Sequence, residues 1–139
     1  MFINKADLEK KIMAHELASI TNGDDTIIDH SISAAIAEMK GYLKGRYDVE
    51  AIFSAADEER MPLLVGFACD ISIYEIISLA LPGQDLEDRR ARYKRAIDWL
   101  KQLAKGEIEA DLPKLEDEEG NTESPFGFSS QTKRINSWE

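Results

Sequence analysis

Between Leu63 and Leu81 the chain runs 19 residues, "LLVGFACDISIYEIISLAL", and Asp70 and Glu75 are the only charged side chains in it. No other stretch restricts the fold as much. The run approaches the roughly 20 apolar residues that a membrane-spanning helix needs. A carboxylate at mid-span, however, costs about 2.5–3.5 kcal/mol even on lenient insertion scales, and Ser72 and Ser78 add further polarity. The run therefore reads as a central core helix, not a bilayer span. Its start is expected around Glu58–Pro62, because proline suits a first helical turn, and its stop comes before Pro82–Gly83.

A helix apolar on all sides needs amphipathic neighbours to cover it. "DTIIDHSISAAIAEMKGYLKG" supplies one: Ile28, Ile32, Ala35, Ile36, Met39, Tyr42 and Leu43 recur at steps of three and four, and Gly45 offers a C-terminal stop,. "DLEDRRARYKRAIDWLKQLAKG" supplies another, with Asp85 as its cap, Tyr93, Ile97, Leu100 and Leu103 as its buried face and Gly106 as its end. At the N-terminus Asn4 can cap "KADLEKKIMAHELASI",. The spacing of Leu8, Ile12, Leu17 and Ile20 slips near Ala14–His15, which predicts a short helix, a bend and a second short helix before "TNGDD" breaks the pattern. The expected fold is all-α: a compact four- to five-helix bundle with an extended, mostly irregular C-terminal tail.

Charge marks the boundary of that tail. Of 17 basic and 27 acidic residues, residues 1–105 carry 14 and 18, and residues 106–139 carry 3 and 9. The net charge is thus −4 over a 1–105 helical domain and −6 over a 106–139 arm, acidic first and aromatic-bearing later. Such an arm cannot bury enough apolar area to fold alone. Its Phe126, Phe128, Ile135 and Trp138 read as anchors for another surface. The overall −10 opposes nucleic-acid binding by the chain as a whole, since phosphate contacts need a basic face,.

Few residues invite chemistry. Asp24, Asp25 and Asp29 lack the twelve-residue loop pattern of a calcium hand and fit a turn with a helix cap better,. His15 and His30 fall on separate predicted helices without cysteines at ligand spacing, which is weak evidence for zinc,. Cys69 is the lone cysteine; it cannot form an internal disulfide, and it reads as an inert buried thiol in a chain suited to a reducing compartment,. The N-terminus shows no secretory apolar region. Motifs for a nucleophile elbow, a zinc protease or a phosphate loop do not occur, and no cofactor is expected.

Two features remain. In "EMKGYLKGRYDVEAIF", Tyr42, Arg46 and Tyr47 follow the point where the apolar stripe stops. Asp70, inside the apolar run, needs a partner if it is buried. Arg46 is the expected one, joined to Asp70 by parallel hydrogen bonds with Tyr42 and Tyr47 packed around the pair; otherwise Asp70 faces solvent. The basic run "RRARYKR" places Arg89, Arg90, Arg92, Lys94 and Arg95 among Asp85, Glu87, Asp88 and Asp98. It reads as a solvated, salt-bridged face, or as a strip using Arg89, Arg92 and Arg95 against an acidic partner or against DNA in a channel.

Taken in order, "ADLEKKI", "IIDHSISAAIAEMKGYLKGRY", "MPLLVGFACDISIYEII" and "RARYKRAIDWLKQLAKGE" resemble the small Mu-like bacteriophage proteins of the head–tail junction, and through them the helical head–tail connector (head completion) proteins of tailed phages. The segment after "RY", "DVEAIFSAADEERMP", is longer than is usual there. The resemblance implies a structural virion protein with no enzymatic activity, located at the head–tail junction and assembled in the host cytoplasm. It would form a ring of about twelve copies beneath the portal, extend the DNA channel and dock the tail. The implied partners are the portal protein, neighbouring copies, a tail-completion or stopper protein, and genomic DNA passing through without sequence preference; no membrane is implied. Two rivals are a DNA-binding adaptor or regulator using the basic strip, and a small helical enzyme with a closed polar pocket.

Overall fold

The computed structural model describes residues 1–80 and 86–115. Asn4 opens the first helix, α1 (Lys5–Leu8), by a reciprocal cap: its side chain accepts the Asp7 N–H at 3.1 Å, and the Asp7 carboxylate accepts the Asn4 N–H at 3.0 Å. A bend over residues 9–13 follows, ahead of the Ala14–His15 position expected for it, then α2 (Ala14–Thr21), which Asn22 ends in the left-handed region at φ 55°. Asp24 caps α3 (Asp25–Leu43) by accepting from the Thr26 N–H and hydroxyl at 3.0 and 2.6 Å. That carboxylate is therefore a cap, as its position before the apolar stripe suggests.

Gly45 does not end α3 in the way expected. Among the described residues the left-handed glycines are Gly23 and Gly106. Instead the Arg46 and Tyr47 N–H groups both close onto the Leu43 carbonyl, at 3.1 and 2.9 Å, and Tyr47 is buried, so packing stops the helix. The following stretch holds α4 (Val49–Ser54), capped by Asp48 and anchored by buried Ile52 and Phe53, and a short 3₁₀ turn at Asp57–Glu59.

Pro62 opens α5 (Pro62–Ala80), the axis of the molecule, which packs on α1, α2, α3 and α6. Leu64, Phe67, Ala68, Cys69, Ile71, Ile73, Ile76 and Ile77 are all buried, so apolar residues point outward around the whole helix. Ser72 is also buried and satisfies its hydroxyl by donating to the Ala68 carbonyl at 2.9 Å. Helix α6 (Glu87–Lys105) lays Ala96, Ile97, Leu100 and Leu103 against the body, and Gly106 ends it at φ 77°. Leu86 precedes it without a side-chain cap; the expected cap, Asp85, lies outside the described residues. No helix among the described residues is long and apolar enough to cross a membrane.

The chain does not leave the body at Gly106. Ile108, Ala110 and Leu112 pack against the core. The Asp48 N–H donates to the Pro113 carbonyl at 3.0 Å, the Leu115 N–H donates to the Arg46 carbonyl at 3.2 Å, and Tyr47 pairs with Lys114 as an isolated antiparallel bridge. The result is an all-α bundle of six helices among the described residues, three of them short.

Candidate functional site

Arg46 and Asp70 are not partners. Asp70 is 5% exposed, and both of its carboxylate oxygens accept from Lys11 Nζ at 3.0 Å. The same ammonium donates to the Gly66 carbonyl at 3.3 Å. Lys11, in the bend between α1 and α2, thus bridges two consecutive turns of α5, at Gly66 and Asp70. The guanidinium of Arg46 lies instead against Gly106, where an added Cβ would come within 3.1 Å of Cζ. Tyr47 faces the same strand of chain: its hydroxyl accepts the Ala110 N–H at 3.3 Å. Arg46 and Tyr47 therefore hold residues 106–115 against the end of α3. Tyr42 is half-buried against the core on α3.

A second ion pair carries no local signal beyond the Asn4 cap. Arg60 grips Asp7 through Nη1 at 2.8 Å and Nη2 at 3.2 Å, while Nη1 also donates to the Phe2 carbonyl at 2.9 Å and Nε to the Asp57 carbonyl at 3.1 Å. The hydrogen bond from Arg60 holds the Asp7 carboxyl below the usual carboxylate range, against the opposing effect of burial. Lys10, Lys11, Asp7, Arg60 and Cys69 line a cleft of about 490 Å³ beside these pairs. Its chemistry is largely committed: Asp7, Arg60 and Lys11 are paired inside the fold. Burial pushes the Cys69 thiol up to about 12, so it is a neutral, poorly nucleophilic group at ordinary pH,.

The basic run does not form a single strip. Arg89 turns inward, its Nη2 donating to the Lys11 carbonyl at 3.3 Å, and so ties α6 to the α1–α2 bend. Arg92 remains exposed and pairs with Asp88 at 3.3 Å one turn earlier. Arg95 stands over the Phe67 ring at 5.5 Å from its centroid. Tyr93, on another side of the helix, donates to Glu38 at 2.9 Å and stacks on Tyr74 at 4.6 Å. Burial first, then that acceptor, push the Tyr93 phenol up to about 12.

Arg95 leads to an open, partly apolar groove. Between the first turns of α5 and the middle of α6 lies a groove of about 510 Å³. Its floor is Phe67 and Trp99, rings 5.0 Å apart, with Leu63 41% exposed at one edge. Lys94, Arg95, Asp98 and Gln102 stand along its α6 side, two cations and one carboxylate. An aromatic floor under a polar edge of mixed charge suits contact with another protein surface,. The anchors expected in the arm, Phe126, Phe128, Ile135 and Trp138, lie outside the described residues.

Compared with known proteins, the chain matches the family model described as "Bacteriophage Mu, Gp36" over residues 2–127. No match was found among curated proteins.

Proposed function

Because the chain belongs to the bacteriophage Mu Gp36 family, it is a bacteriophage protein, and we propose that it is a structural component of the virion, a head–tail connector that assembles as a ring beneath the portal. In this role it extends the DNA channel and presents a docking surface to the tail. Its partners are the portal protein, neighbouring copies and a tail-completion or stopper protein, and it has no catalytic task.

The observation that carries this reading is the disposition of polar groups. The ionic groups that are most buried among the described residues, Asp7 and Asp70, hold helices together, while Leu63 at the start of α5 and Lys94 and Arg95 on α6 stay accessible around the α5–α6 groove. That pattern suits a rigid block built to be covered by other chains. Neighbours in a ring meet through two different patches. With an acidic surface overall, contact between copies is favoured where Lys94 and Arg95 offset the repulsion,.

Electron microscopy of the protein mixed with its cognate portal tests the proposal. A closed ring seated on the portal supports it; a portal that remains bare at saturating protein overturns it. The rival role as a DNA-binding adaptor is weakened by the inward turn of Arg89 and the pairing of Arg92. Strongly salt-dependent DNA binding by the isolated chain would restore it.

A further inference from the structure

We infer that residues 108–115 form a hinged strap, which swings off the bundle as one unit about Gly106 while the helices stay folded, and so opens and closes one wall of the cleft between α4 and the start of α5. This goes beyond the connector role and does not depend on it, since it concerns a movement within one chain.

The attachment is narrow. Among the described residues three hydrogen bonds tie the strap to the bundle, and all of them end on Arg46, Tyr47 or Asp48. The Leu115 N–H donates to the Arg46 carbonyl at 3.2 Å, the Ala110 N–H to the Tyr47 hydroxyl at 3.3 Å, and the Asp48 N–H to the Pro113 carbonyl at 3.0 Å. Ile108, Ala110 and Leu112 pack on the core but are only half-buried. Leu64, Ile71, Ile73 and Ile76 of α5, by contrast, are at most 1% exposed. The strap is therefore held by far less apolar burial than the central helix. A segment with few buried apolar contacts opens at a lower free energy than the whole fold.

The strap is also tied to itself. Lys114 Nζ meets the Glu109 carboxylate at 2.8 Å, and the Leu112 N–H donates to the Ala110 carbonyl at 2.9 Å. These links run along the strap and do not involve the bundle, so none of them has to break when it leaves. Gly106 supplies the hinge, because its φ of 77° lies in a region that glycine enters and leaves at no steric cost,.

The movement controls a cleft of about 370 Å³. Leu112 and Pro113 line it from the strap, and Phe2, Ile52, Met61 and Leu64 line it from the bundle. Ile52 is 3% exposed with the strap in place. Cover on that side goes with the strap.

Native-state hydrogen exchange of the full-length protein tests the inference. The amides of Asp48, Ala110 and Leu115 are expected to share one protection factor, at least about a hundredfold below that of Ile71 and Ile76 in α5. Leu112→Ala, a change within the strap, is expected to lower all three together by about tenfold and to leave α5 unchanged. Protection equal to that of α5 overturns the inference, since the strap then leaves only when the bundle unfolds. No protection at all, or three unrelated values, overturns it equally. A second readout is Ile52→Cys in the chain that keeps Cys69. The new thiol is expected to react with an aromatic disulfide reagent ahead of Cys69, and about tenfold faster again once Leu112→Ala is added. A single rate for both thiols, or a rate indifferent to Leu112→Ala, counts against the strap.

Discussion

Lys11 and Asp70, 59 positions apart in sequence, meet at 3.0 Å and tie the bend after the first helix to the middle of the central one. Lys11 keeps a side-chain exposure of 34% while Asp70 keeps 4%, so water reaches one partner and hardly the other. The asymmetry sets the consequences of breaking the pair. Lys11→Met leaves a carboxylate buried without its cation. Full burial of both partners would make that loss about 3–5 kcal/mol; access of water to the site lowers the expectation to ~1–3 kcal/mol. Urea unfolding followed by circular dichroism at neutral pH measures it. Arg46→Met, by contrast, leaves Asp70 paired, and its effect falls on residues 106–115.

Asp7 predicts a pH dependence. Its folded pKa lies below the ordinary 3.8 because Arg60 hydrogen-bonds the ionised form. A depressed carboxylate pKa contributes stability that is complete above the unfolded pKa and is lost as pH falls through the folded one. The contribution is therefore constant from pH 7 to about 5 and fades below the unfolded value near 3.9. Denaturant midpoints between pH 7 and 2.5 will show that fall. Arg60→Met is expected to cost about 3 kcal/mol at pH 7 and to flatten this part of the acid decline.

Gly106 and Tyr47 together hold the chain that follows α6. Gly106→Ala must place a Cβ at φ 77°, 3.1 Å from the Arg46 guanidinium carbon. The expected loss is ~1–2 kcal/mol, from the left-handed backbone and the displaced arginine. Tyr47→Phe removes only the acceptor for the Ala110 N–H and is expected to cost roughly 0.5–1.5 kcal/mol. Faster hydrogen exchange at Ala110, with α3 and α5 amides unaffected, will distinguish release of this segment from general loosening.

Cys69 should be silent toward thiol reagents. With the thiol pushed up to about 12 and the side chain buried, an aromatic disulfide reagent at pH 8 is expected to react only as fast as the protein unfolds,. Immediate stoichiometric reaction in native buffer would contradict this; full reaction in strong denaturant is the positive control.

Much of the architecture can be read locally. The Asn4 cap, the stripe of α3, the proline start of α5 and the glycine end of α6 all express propensities acting within one or two turns, and the slip near Ala14–His15 signals the break between α1 and α2,. Helix α4 was legible in principle too: Asp48 precedes a turn that buries Ile52 and Phe53, although six residues carry a weak periodic signal. The side-chain clusters were far less accessible. Asp70 announced its need for a cation, but not which one. Arg60 sits among Asp57, Glu58 and Glu59, acids nearer in sequence than Asp7, and Arg89 read as a member of an exposed run.

By itself, then, the sequence determined that the chain is helical, where its long helices run, which helix is central, and that any acid within that helix would need an answering charge. Only the tertiary structure decided that Lys11 answers Asp70, that Arg60 answers Asp7, and that Arg89 points inward. The physical reason is range. Caps and stripes depend on neighbours a few residues away, but a salt bridge forms wherever packing brings a long, flexible cation beside a buried acid. That place follows from how apolar faces fit against one another, which the order of residues along the chain does not state.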